Sequence, residues 1–456
     1  MDSFTANLGD SFGPRLITSD AARDLYAQSE GYQRHQAPSV VAQPVTVEEV
    51  QLHVRQAAEY AMPVVAYGAG TSLEGNAAAV QANTLCIDFS RMNRIVDLNA
   101  EDLLCVVEPG VTREQLNTDI RATGMFFPVD PGANASLGGM ISTRASGTTT
   151  VRYGSMRENV LGLKVVTADG NLISTGTSAR KSASGYDLTH LFTGAEGTLG
   201  LIVEATLRLH RQPDKILAAT WDFEEIQGAV DTVIATIQSA VPIARMELLD
   251  EAAIYACNRQ SRLGLAEKPT LFMEFHGSDA SVNDQLEQVR VIGEGNGGGA
   301  LKFAAAAEDR GALWKARHQA LWAAKSLVPG ALAWISDICV PISYLGEAIM
   351  RAKTAIDSSG LLAPILGHVG DGNFHVFFIL LPDNKTGWEK ALVINEAMID
   401  HALTVGGTCT GEHGIGIGKR DALLREHGAD SVAVMRRIKG ALDPHGLFNP
   451  VKVFHT

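Results

Sequence analysis

One segment of this chain is built from residues too small to fill a core. VDPGANASLGGMISTRASGTTTVRYGSM (129–156) is dominated by small and hydroxyl-bearing side chains. The chain as a whole is 46% apolar and 20% charged, the mix of an ordinary globular protein. A segment of this kind is either a loop or a backbone lying against a large polar ligand. YGAGTSLEGNA (67–77) has the same character and follows the strand-like PVVAYG (63–68). TGAEGTLGLI (193–202) has it too, and runs into a further strand. The glycines at 68, 70 and 75 do not fit GxGxxG, and neither this loop nor GIGIGKR (414–420) has a Walker ending. Backbone N–H groups with little side-chain bulk can still converge on an anion near Thr71 and Ser72. A plain tight loop would read the same for one segment. Three such segments favour one extended ligand.

The surrounding pattern is α+β. LLCVVEPG (103–110), LKVVTADGNLIS (163–174) and GLIVEATLRLH (200–210) read as strands, and Asp169-Gly170 as a hairpin turn. TVEEVQLHVRQAAEYA (46–61) has helical spacing, with Thr46 and Glu49 in a capping-box pattern. Arg211-Gln-Pro213 reads as a boundary, and GEGNGGG (293–299) as a mobile loop. The expected division is residues 1–213, then 214–411, then a helical segment over 412–456.

With 456 residues, core size is no constraint. The net charge of −13, with no long basic run, argues against nucleic acid as a partner. Five widely spaced cysteines without a CxxC pair argue against a disulfide framework or an iron–sulfur cluster. The N-terminus lacks a secretory pattern, and no apolar run reaches transmembrane length, so a cytoplasmic chain is expected, with peripheral membrane contact left open.

GHVGDGNFH (367–375) reads either as a metal-binding histidine pair or as a motif in which one histidine only satisfies a core hydrogen bond, and Glu412-His413 further on either as its partner or as a solvated loop pair. If Asp371-Gly372 is a two-residue hairpin loop, His368 opposes His375 on one face, about 5 Å apart at Cβ. Two imidazoles so placed can chelate one cation. GEHGIGIGKR (411–420) offers Glu412 and His413. Neighbours on an extended backbone diverge, so one can face a metal and the other a substrate. A His/His/Glu set suits zinc, manganese, iron or cobalt. EDRGALWKARHQALWAAKSL (308–327) reads as one helix, with Arg317 in its apolar stripe beside Leu313, Ala320, Leu321 and Ala324. A buried guanidinium needs an anionic partner, either a structural acid such as Asp337 or a substrate carboxylate.

The three small-residue segments, in this order, resemble the FAD domain of the vanillyl-alcohol oxidase/p-cresol methylhydroxylase type. The two histidine motifs and the ending DPHGLFNP (443–450) resemble the FAD-linked D-2-hydroxy-acid dehydrogenases. The likeness runs from about residue 40 to 454. It is nearest to the D-lactate dehydrogenases, through WKARH (314–318), SDICVPIS (336–343), GHVGDGNFH and TCTGEHGIGIGKR (408–420).

The resemblance implies an FAD domain followed by an α+β substrate domain with an antiparallel sheet and a C-terminal helical segment. It implies flavin contacts from Ala69, Gly70, Thr71, Ser72 and Asn76, from Pro131, Gly138, Gly139, Ser142, Ser146, Gly147 and Tyr153, from Glu196, Gly197, Thr198 and Ile202, and from Asn449. No histidine lies in the three loops, so non-covalent FAD is expected. It further implies His368, His375 and Glu412 as ligands of one divalent metal, zinc or manganese foremost, with His413 as base and Arg317 on the substrate carboxylate. The 2-hydroxyglutarate members have a lysine where this chain has Ile335, which favours a short or apolar substrate. The expected partners are a small 2-hydroxy acid and an external acceptor: a cytochrome, an electron-transfer flavoprotein or quinone. A homodimer is left open. The alternatives are a glycolate or D-2-hydroxyglutarate enzyme, a non-redox FAD transferase and a non-enzymatic flavin- or metal-binding subunit.

Overall fold

The computed structural model describes residues 13–31, 33, 35–179 and 181–455. The chain forms two compact units. The first takes the chain up to Ser146, then Gly154–Gln212, and the chain from Glu412 on; the second takes Gly147–Tyr153 and Pro213–Gly411.

Among the described residues the first unit holds two larger sheets and a two-stranded pairing of His210–Arg211 with Met125–Phe126. One is built from β1 (Leu16–Ile17), β2 (Val40–Ala42), β3 (Val64–Tyr67) and β4 (Leu85–Asp88), in the order β1-β2-β4-β3. Its β2-β4 and β3-β4 pairs are parallel. The other is an antiparallel sheet of β5 (Ile95–Asn99), β6 (Leu104–Val107), β7 (Val160–Val166), β8 (Leu172–Gly176) and β9 (Leu201–Arg208), in the order β5-β6-β9-β7-β8. The Asp169-Gly170 step does turn the β7-β8 hairpin, with Val166 opposite Leu172 and Gly170 at φ +75°. Thr46 caps the helix Val47–Glu59 by accepting from Glu49 N. The reciprocal bond differs from a capping box: Glu49 Oε2 accepts from Val45 N, one residue further out, and pairs with Arg15.

Buried Val50, His53, Val54 and Ala57 lay that helix on the core with β2, β3 and β4. Burial of the His53 ring pushes its pKa down to about 4. The small-residue segment 129–156 gives a short helix, Leu137–Thr143, whose Leu137, Met140 and Ile141 join the core of the antiparallel sheet. From Arg420 to Leu442 the chain is helical, kinked at Gly428 (φ 73°, ψ 164°).

The second unit is one antiparallel sheet with helices. Its strands are β10 (Lys215–Phe223), β11 (Arg245–Leu249), β12 (Thr270–Gly277), β13 (Gly298–Ala304), β14 (Leu332–Ile335), β15 (Ile338–Cys339), β16 (Ile365–Gly367) and β17 (Asn373–Leu380). The order is β13-β10-β12-β11-β16-β17-β14, with β15 also paired to β17. Opposed residues share a face. One face carries Met246, Leu248, Met273 and Phe275, all fully or almost fully buried. The other carries Arg245, Glu247, Glu274 and His276, and through the Leu249–Leu366–His375 register it also carries His375.

Three expectations change in this unit. GEGNGGG is no loop: it ends the helix Asp279–Gly295 and begins β13. A Cβ at Gly293 or Gly298 would run into the buried Trp221 indole, which is why glycine stands at both. The stretch 308–327 is two helices, Ala307–His318 and Ala320–Ser326, broken at Gln319. The histidine hairpin is also longer than a two-residue turn. A 3-10 turn, Val369–Asp371, precedes Gly372 at φ +79°, and His375 opposes Leu366 rather than His368. This register differs by two residues from the expected one, and a two-residue shift keeps every side chain on its face.

Candidate active site

In the first unit the three small-residue loops meet through the backbone. Gly194 N donates to Ile141 O at 2.9 Å, and Glu196 N donates to Ser142 O at 2.8 Å, which joins the second and third loops. Asn449 Nδ2 donates to Asn76 O at 2.8 Å and to Glu196 O at 2.6 Å, which brings the first loop and the C-terminal segment to the same place. Close backbone approach needs small residues here. A Cβ at Gly68 would strike Ser136, one at Gly70 would strike Tyr67, and one at Gly138 would strike Pro109. Glu196 itself sits at φ +51° and Gly197 at φ +66°, a left-handed pair. Thr71, Ser72, Pro131 and Gly139 line the same loops half-buried, Ala69 is exposed, and Thr198 and Ile202 are buried.

The Glu196 carboxylate is committed within this unit. It accepts from Asn76 Nδ2 (2.6 Å), Ile415 N (2.7 Å) and Gly416 N (2.8 Å). Burial raises its pKa against those three bonds and the nearby Lys452 ammonium. Asn76 Nδ2 also donates to His413 O at 3.2 Å. Glu196 and Asn76 thus hold the loop that carries His413. Ser146 Oγ donates to Glu412 Oε2 at 2.8 Å.

In the second unit the polar sheet face is a network of paired side chains. The His368 and His375 rings are 5.5 Å apart and nearly perpendicular, with both residues buried. His368 Nδ1 is 2.7 Å from Glu247 Oε1, and His375 Nδ1 is 3.0 Å from Ser336 O. Neither acceptor can donate, so both rings carry hydrogen on Nδ1, and in the neutral ring the lone pair is then on Nε2. This is the tautomer and orientation that a cation-binding imidazole needs.

Arg317 is buried, as its place in the apolar stripe suggests, but its partner is Glu247 and not Asp337. Its Nε and Nη2 donate to Glu247 Oε2 at 2.8 and 2.6 Å. Asp337 instead accepts from Asn373 Nδ2 (2.9 Å) and Thr410 Oγ1 (2.8 Å). Burial alone would raise the Glu247 carboxyl; His368 and Arg317 beside it bring it below the usual range. Asn373 Oδ1 is a buried acceptor without a hydrogen-bond partner among the described residues. Gly147 and Tyr153, expected against the flavin, fall in this unit, where Tyr153 Oη lies 2.7 Å from His276 Nδ1. His276 Nε2 continues to Glu274 at 2.7 Å, which also accepts from Trp314 Nε1 at 2.6 Å. Glu247, Glu274 and Asn373 were not singled out from the sequence. Glu247 and Glu274 lie on strands far from the histidine motifs, and nothing local marks them.

Two family models match the chain: an FAD binding domain over residues 38–176 and the C-terminal domain of FAD linked oxidases over residues 212–453. A zebrafish (Danio rerio) protein named probable D-lactate dehydrogenase, mitochondrial, is 46% identical, over 99% of this chain and 91% of its own length. The Arabidopsis thaliana D-lactate dehydrogenase [cytochrome], mitochondrial, is 44% identical over 91% of this chain and 73% of its own. The chain belongs to the FAD-linked D-2-hydroxy-acid dehydrogenase family. It is an FAD-dependent oxidoreductase. Among solved structures, p-cresol methylhydroxylase matches with a TM-score of 0.80 at 18% identity, covering 100% of this chain and 96% of its own. That likeness gives the fold. An alkyldihydroxyacetonephosphate synthase matches with a TM-score of 0.78 at 19% identity, covering 99% of this chain and 86% of its own. Among the described residues no helix is long and apolar enough to cross a membrane.

Proposed function

We propose that this chain oxidises a D-2-hydroxy acid, D-lactate foremost, to the 2-oxo acid and passes the electrons to an external acceptor: a cytochrome, an electron-transfer flavoprotein or quinone. The observation that carries this reading is the buried imidazole pair, each ring pinned at Nδ1, which leaves the neutral ring's lone pair on Nε2. His368, His375 and Glu412 would hold a divalent cation, zinc or manganese. Glu412 directly follows Gly411, and Gly411 packs on Asn373 and Asp337. When bound, that cation supplies Lewis acidity toward the hydroxyl and carboxylate oxygens. FAD, when bound along the three loops, supplies the two-electron oxidant.

The chain's own groups do the rest. Arg317 has five N–H donors, and its Glu247 pair uses those on Nε and Nη2; the other edge grips the substrate carboxylate. His413 takes the hydroxyl proton, a task suited to an imidazole whose ordinary pKa is about 6.5. Asn76 and Glu196 hold its loop still. Asn373 Oδ1 accepts a hydrogen bond from the substrate or a water beside it. Ile335 is buried opposite Phe377, on the face of His375, and offers the far end of the substrate an apolar contact. The naming of the zebrafish and Arabidopsis relatives points the same way.

The test is an anaerobic screen of D- and L-2-hydroxy acids, followed by loss of the flavin absorbance. D-lactate should bleach the flavin faster than L-lactate, glycolate or D-2-hydroxyglutarate. A flavin that no 2-hydroxy acid reduces would reject oxidation in favour of non-redox chemistry of the kind the synthase fold also hosts. Chelation should lower turnover, and added zinc or manganese should restore it. Activity indifferent to chelators, with no metal by elemental analysis, rejects the cation site.

A further inference from the structure

We infer that Glu247 is a positioning residue shared by both arms of this site, setting the tautomer of His368 with one oxygen and holding Arg317 with the other. The inference rests on the reading above and adds to it a residue that couples cation binding to acid binding. Glu247 stands in the middle strand β11, its side chain 0% exposed. Oε1 is 2.7 Å from His368 Nδ1, and Oε2 is 2.8 and 2.6 Å from Arg317 Nε and Nη2. A carboxylate accepts and cannot donate, so it requires the hydrogen on Nδ1 and leaves the Nε2 lone pair for a cation.

His375 is oriented in the same sense by the Ser336 carbonyl, but the two acceptors differ. A backbone carbonyl is neutral and fixed. Glu247 is an anion whose charge is divided between an imidazole and a guanidinium. When a substrate carboxylate draws on Arg317, more of that charge falls on His368 Nδ1. A stronger acceptor there makes Nε2 a better ligand. By linkage, a bound cation strengthens the grip on the acid by the same factor.

Glu247→Gln separates this role from a structural one. Glutamine has one acceptor and one donor where glutamate has two acceptors. Turning the amide oxygen to Arg317 sets the NH2 against His368 Nδ1, which drives the hydrogen to Nε2 and closes the lone pair. Turning it to His368 sets the NH2 against the guanidinium. The probes are Zn2+ and Mn2+, titrated into the metal-stripped, FAD-loaded full chain by calorimetry, and pyruvate, followed by perturbation of the flavin spectrum. E247Q should bind the cation about 10–100-fold more weakly than the parent, the loss typical of a removed partner behind a ligating histidine.

Arg317→Met should weaken pyruvate while cation affinity holds or rises, because Glu247 then serves His368 alone. In the double variant R317M/E247Q the amide oxygen has no guanidinium to satisfy and turns to His368. Cation affinity should then recover most of what E247Q lost. A double variant no better than E247Q, or an E247Q that binds the cation like the parent, overturns the inference. If E247Q does not fold, Glu247→Asp keeps two acceptors on a shorter stem and is measured with His368→Gln. Cation affinity in E247D well above that of H368Q supports the inference, and equal affinities overturn it. A parent chain that takes up neither cation would instead reject the cation site itself.

Discussion

The two units put their buried polar side chains to largely different work. In the first, side chains hold backbone. Glu196 accepts from Ile415 N and Gly416 N, Asn449 donates to the carbonyls of Asn76 and Glu196, and Lys452 Nζ donates to Ala78 O at 2.6 Å. In the second, side chains hold one another. Glu247 joins His368 to Arg317, Glu274 joins His276 to Trp314, and Asp337 joins Asn373 to Thr410. A nucleotide that is gripped by main-chain N–H groups needs loops fixed in shape, and side chains serve as their braces. The proposed chemistry on a small acid would need imidazole and guanidinium groups aimed within a fraction of an ångström, and buried carboxylates are placed to aim them. The comparison teaches that loss of a polar group in the first unit should appear as lost flavin and stability. In the second it should appear as lost chemistry with the flavin still bound.

The largest effect should come from His413, the proposed base, which the first unit carries as an exception to that contrast. His413→Ala should slow anaerobic flavin reduction by about 10²–10⁴-fold with FAD content unchanged, the usual contribution of a general base. Reduction at the parent rate breaks the assignment. Glu196→Ala comes next. It strands two buried backbone N–H groups and an amide, each worth about 1–3 kcal/mol. Thermal unfolding and the fluorescence of released flavin should show both lost stability and lost FAD; a stable, yellow variant with slow turnover would place Glu196 on the wrong side of the contrast.

The third is a pH effect confined to the first unit. His53 is fully buried and its pKa is depressed from 6.5 to about 4. The neutral ring is favoured by the fold, so its stability is full above pH 6.5 and is lost as the pH falls through about 4. That difference corresponds to about 3 kcal/mol. His53→Leu should flatten the urea midpoint between pH 7 and pH 4, and an unchanged slope would remove His53 from the account. The smallest effect is packing in the second unit. Gly293→Ala meets Trp221 and should cost about 1–3 kcal/mol by urea unfolding, with the flavin spectrum unaltered.

Much of the first unit was legible in the sequence because its function is local. The runs at 67–77, 129–156 and 193–202 announce close backbone approach by composition alone, and the structure brings them together. The strands over 103–110, 163–174 and 200–210 follow from their β-branched runs. In the second unit the nearness of His368 and His375 was legible in the sequence, but the turn that brings them together was not. Gly372 supplies the left-handed turn, yet the 3-10 turn before it sets the register to Leu366↔His375. GEGNGGG misled because glycine serves flexibility and close packing alike, and only the Trp221 indole decides which. The helix over 308–327 misled because its apolar stripe continues through Gln319 while the backbone does not.

Sequence by itself determined the family, the small-residue loops, and the identity of the groups proposed for the chemistry: His368, His375, Glu412, His413 and Arg317. It also required that a guanidinium in an apolar stripe find an anion. Which anion was decided by the sheet. Glu247 lies 70 residues before Arg317 and 121 before His368, and it reaches both only because β11 pairs with β16 and leaves its side chain on the face of His375. Local composition records what a residue can do. A hydrogen-bond partner that far along the chain is chosen by strand register, which depends on every pairing in the sheet at once.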